Sequence, residues 1–162
     1  MAQKKKPARR SKPSKTARKA AGAKKAMKDR RVSAKETLRL RAVEPTLTVN
    51  DLSRSVAFYT NALGFVLDEE YKGPDGRVMG AMVKAGVCRL GLSQDDWAKG
   101  RDRQKGVGVR VWCTTVQDID ALAARIKAAG HMLAEEPKDQ PWGGRTLAVD
   151  DPDGFHLTVY RR

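Results

Sequence analysis

Residues 47–65 read Leu47-Thr48-Val49-Asn50-Asp51-Leu52-Ser53-Arg54-Ser55-Val56-Ala57-Phe58-Tyr59-Thr60-Asn61-Ala62-Leu63-Gly64-Phe65, and the period of the sequence changes inside this stretch. Val43, Pro45, Leu47 and Val49 alternate, which is the two-residue rhythm of a half-buried strand. Beyond Asn50, which is read as a helix cap, Leu52, Val56, Phe58, Tyr59 and Leu63 recur at helical spacing until Gly64 stops them. The stretch therefore predicts a strand, a tight turn and a helix in immediate succession.

Working outward, strands are expected over 65–71, 78–84 and 87–92, with Pro74-Asp75-Gly76 as one turn and Gly86 as the next. A polar connector, 93–106, separates these from a second series. There a long strand is expected over 107–116, then a helix over 117–129 with Ile119, Leu122 and Ile126 on one face and Gly130 after it. Strands at 131–135, 146–149 and 155–160 follow, with Asp151-Pro152-Asp153-Gly154 as the last turn.

The two series are one unit written twice. Val49-Asn50-Asp51-Leu52 matches Val116-Gln117-Asp118-Ile119. Gly64 and Gly130 each precede a Glu pair, Glu69-Glu70 and Glu135-Glu136, at the same distance, and Arg77–Gly86 matches Arg145–Gly154 in length. A period of about 65 residues is too long for a solenoid and implies duplication of a βαβββ module. The fold class is α+β, with modules at about 39–98 and 107–162.

Charge is segregated. Of 33 Lys and Arg residues, 15 lie in residues 1–38, opposed only by Asp29 and Glu36, whereas 39–162 is nearly neutral. Of the net +14, +13 thus belongs to an N-terminal arm. The arm has no aromatic residue and almost nothing apolar larger than Ala, so it cannot offset its ordering entropy and is expected to be disordered in isolation. Lys4, Lys5, Lys6, Arg9, Arg10, Lys12, Lys15, Arg18, Lys19, Lys24 and Lys25 are its candidate nucleic-acid contacts, displacing counterions from DNA or RNA without reading bases. Its wording is similar to histone-linker tails in composition.

Cys88 and Cys113 have neither metal-ligand spacing nor a disulfide framework, and are read as reduced thiols. No apolar run approaches membrane-spanning length, and the basic N-terminus lacks the apolar core of a secretory signal. The expected location is the cytoplasm, with association to the nucleoid through the arm.

Thr48–Tyr59 running into Leu63-Gly64-Phe65, with Gln117–Leu122, Trp142-Gly143-Gly144-Arg145 and Asp151-Pro152-Asp153-Gly154, resembles the vicinal-oxygen-chelate (glyoxalase/bleomycin-resistance/dioxygenase) superfamily. The resemblance covers about 39–162 and implies two βαβββ modules forming one cup-shaped domain, and a homodimer. It does not fix an activity, because isomerases, dioxygenases, thiol transferases and drug-binding proteins share the fold. It also implies four strand positions that hold a divalent metal in the enzymes. Here these positions read Glu44, Leu90, Val111 and Thr158, of which only Glu44 is a competent ligand. Useful binding of Zn²⁺ or Mn²⁺ takes at least three such donors.

The expected function is therefore binding of a small molecule in a metal-free cup, with no cofactor. Strand alternation is read as placing Glu44, Thr46, Cys88, Leu90, Val111, Cys113, His156 and Thr158 on the cup face; a register slip of one residue would bring Arg110 and Trp112 there instead. Glu44 and His156 would orient the ligand, Thr46, Leu90, Val111, Cys113 and Thr158 would line the cup, and Trp142 would close its lip. Two alternatives stand beside this. One is a lyase, isomerase or dioxygenase using an off-pattern metal on Glu44, Cys113 and His156. The other is a nucleic-acid-associated protein with a vestigial cup.

Overall fold

The computed structural model describes residues 38 and 40–162, so the expectation of disorder in the basic arm falls almost wholly outside it. Val43–Arg162 forms one compact unit. Its elements are β1 (Thr46–Val49), α1 (Leu52–Ala57) continued by a π-helical turn (Phe58–Ala62), β2 (Val66–Lys72), β3 (Val78–Ala85), β4 (Cys88–Gln94), β5 (Arg110–Thr115), α2 (Ile119–Ala128), β6 (Glu135–Asp139), β7 (Arg145–Asp150) and β8 (His156–Arg161). Each module makes its own four-stranded sheet, in the order β1-β4-β3-β2 and β5-β8-β7-β6. In each, the strand before the helix runs parallel to the last strand of the module, and the other pairings are antiparallel. The duplicated α+β architecture expected from the repeat is the one present.

Two local expectations shift. The first helix is capped by Asp51, whose Oδ1 accepts from Arg54 N at 3.0 Å. Asn50 instead donates its backbone N–H to Asp153 Oδ1 of the other module at 2.9 Å. The helix then widens, with Leu63 N–H reaching Phe58 O at 3.3 Å and Thr60 Oγ1 donating to Val56 O at 2.8 Å. A hydroxyl drawing on a helical carbonyl in this way loosens the regular ladder. Arg125 of α2 donates to the freed carbonyls of Ala62 and Leu63 at 3.1 and 2.6 Å, which ties the two helices together.

The second shift is the strand expected over 131–135, which instead occupies Glu135–Asp139. His131 N–H still caps α2 through Ile126 O at 3.2 Å, and its ring packs edge-on against Phe58. The chain is free to pair only afterwards, as an edge strand that tolerates Pro137 at a register shift.

One apolar core serves both modules. Leu47, Val49, Leu90, Leu92, Ala81 and Val83 of the first sheet meet Phe58, Tyr59, Ile119, Ile126, Leu147 and Leu157 within it. Both helices belong to this core, so each sheet has one face packed on it and one open face. Among the described residues no helix is long and apolar enough to cross a membrane.

Candidate functional site

The register decides which side chains occupy the open faces. In the first sheet Thr46 lies opposite Gly91, and Ala81 and Val83 pair with Leu92 and Leu90 on the core side. The open face therefore carries Thr46, Thr48, Arg89, Gly91, Ser93, Gly80, Met82 and Lys84. In the second, Arg110 pairs with His156, Trp112 with Thr158, and Thr114 with Tyr160. Leu157 and Val159 go to the core between them.

This corrects the expected cup lining. Leu90 is 4% exposed and part of the core, and Val111 and Cys113 pack against that core. None of the three lies on the open faces. The physical reason is the two-residue pleat, since a slip of one position exchanges every side chain between faces. The positions they were expected to fill are held by Arg89, Arg110 and Trp112. Glu44, Thr46, His156 and Thr158 lie on the open side as read, Glu44 and Thr46 by the first sheet and the other two on the second. Trp142 is 68% exposed in the turn before β7.

At one end of the first open face Arg89 gathers three carboxylates. Its guanidinium lies 2.9 Å from Asp68, 2.9 Å from Glu69 and 3.5 Å from Glu44, and Lys84 also pairs with Asp68. The hydrogen bond from Lys84, followed by the charges of Lys84 and Arg89, lowers the Asp68 pKa. The partner that a charged Glu44 needs is thus a guanidinium on the next strand.

The second open face is aromatic and polar. Trp112 and Tyr160 lie with ring centroids 5.9 Å apart, over a floor that includes the buried Thr158 and Ala148. Tyr160 is held from the side by the Gly143-Gly144 turn: a Cβ on Gly144 would come within 2.4 Å of its ring, and φ is +83° there. At the neighbouring row His156 Nδ1 is 2.6 Å from Asp150 Oδ1, while its Nε2 is buried with no hydrogen-bond partner. With Nδ1 engaged by the carboxylate, Nε2 is the ring nitrogen left for a polar partner. The arrangement can stack a flat group and hold one polar substituent. Only the possible register slip pointed to Trp112; nothing singled out Tyr160 or Arg89.

A divalent metal does not fit these residues. Glu44 is engaged by Arg89, His156 by Asp150, and Cys113 points to the core, where burial pushes its thiol pKa up, away from the thiolate a metal needs. Among the described residues no group of three or more His, Cys, Asp or Glu is arranged to hold an ion.

Residues 41–159 match the family model described as Glyoxalase/Bleomycin resistance protein/Dioxygenase superfamily. A probable lactoylglutathione lyase of Vibrio cholerae is 31% identical over 123 residues, covering 74% of this chain and 88% of that protein. A bleomycin resistance protein of Geobacillus stearothermophilus is 28% identical over 130 residues, covering 73% of this chain and 94% of its own. The crystal structure of a superfamily member from Sphaerobacter thermophilus superposes with a TM-score of 0.61 at 25% identity, over 77% of this chain and all of that one. With duplicated modules, matching sheet topology and a family match spanning nearly the whole compact unit, the chain belongs to the glyoxalase/bleomycin resistance protein/dioxygenase superfamily.

Proposed function

We propose that this protein binds a small molecule on the open sheet faces without a metal, and that a second copy of the chain closes the cup over it. The observation that carries the reading is the pairing of Glu44 with Arg89 at 3.5 Å. A fixed guanidinium beside that carboxylate repels a divalent ion, so the face is left to binding. Trp112 and Tyr160 supply apolar, stackable area. His156 Nε2 supplies an unpartnered polar atom. A relative named for drug resistance rather than for a reaction supports the same reading. Trp112, Tyr71 and Met79 are at least 38% exposed on these faces, which favours their coverage by a homodimer partner.

The test is elemental analysis of the untagged, full-length protein, with Glu44→Ala as control. Less than about a tenth of an equivalent of metal is expected, because a catalytic site must be occupied to work. Near one equivalent, lost in the variant, would overturn the reading in favour of a lyase, isomerase or dioxygenase, the class to which the Vibrio relative's name points.

The basic arm is assigned a separate role, non-specific binding of DNA or RNA in the cytoplasm. The concentration of 15 cations in residues 1–38 supports it.

A further inference from the structure

We draw no further inference here: the strongest candidate, the uninterrupted outer edge of β5 beside the half-exposed Trp112, belongs to the surface that a second copy of the chain is already proposed to cover.

Discussion

The Tyr59 hydroxyl donates to Asp151 Oδ2 at 3.1 Å, joining the first helix to the last turn of the second module inside the protein. Asp151 also accepts from Phe155 N and Asp153 N, each at 2.9 Å. Burial is the largest influence on Asp151 and raises its pKa, while these three donors oppose that rise. The aspartates of the Asp151-Pro152-Asp153-Gly154 turn thus hold two modules together, because Asp153 accepts from Asn50 N and Ser55 Oγ in the same way.

Tyr59→Phe removes one donor from a buried carboxylate and should cost ~1–3 kcal/mol at neutral pH. The lost bond favoured the ionised form, so its removal raises the folded-state pKa of Asp151 further. A raised carboxyl pKa means stability that is present at low pH and lost as pH rises through it. The deficit of the variant against wild type should therefore shrink as the medium is made acid. Urea unfolding of both proteins across pH checks this; a deficit that grows towards acid would contradict it.

Asp95 has the opposite sign. Its carboxylate lies 2.7 Å from Lys105 Nζ, both side chains being nearly buried, and 2.8 Å from Arg103. The Lys105 hydrogen bond, then Trp97 N–H, hold its pKa down to about 2. A depressed pKa gives stability that is present above the ordinary carboxylate range and is lost as pH falls towards about 2. Asp95→Asn should flatten that acid limb in thermal melts, and an unchanged limb would refute the assignment.

Gly106 and Gly108 differ in what surrounds them, although both have positive φ. A Cβ on Gly106 would lie 2.0 Å from Gly154 O, whereas Gly108 has nothing within 4 Å. Gly108→Ala should cost only the left-handed backbone term, ~1–2 kcal/mol. Gly106→Ala should cost ~3 kcal/mol or more, or prevent folding, because backbone must move. Chemical denaturation of the pair measures the difference.

Deletion of residues 2–38 should abolish affinity for duplex DNA at moderate salt and leave the melting temperature of the folded unit unchanged. In the full chain, affinity should fall steeply as salt rises, the signature of counterion release. Filter binding at several salt concentrations measures both, and affinity surviving the deletion would place the polyanion site elsewhere.

Most of the fold was legible in the sequence. The switch from alternation to helical spacing at Asn50, and its recurrence at Gln117, gave the order of elements, and the glycines gave their ends. The later start of β6 was not legible, because His131 continues the end of α2 through contacts with Ile126 and Phe58. The candidate site was legible only in part. Glu44, Thr46, His156 and Thr158 lie on the open side, but Leu90, Val111 and Cys113 took the core.

The sequence by itself determined that the chain is a duplicated βαβββ unit with a separate basic arm, because periodicity, turn residues and net charge are local properties. In β4 Leu90 and Leu92 alternate with Arg89, Gly91 and Ser93, which marks theirs as the buried face, whereas in β5 Val111 and Trp112 put apolar residues at both positions and alternation could not select the face. Tertiary structure decided which face of the remaining strands is open. That choice rests on the parallel pairing of β1 with β4 and of β5 with β8, across residues distant in the chain. Burial of Leu90, Val111 and Cys113 against the shared core made it, and left Arg89 and Trp112 on the open side.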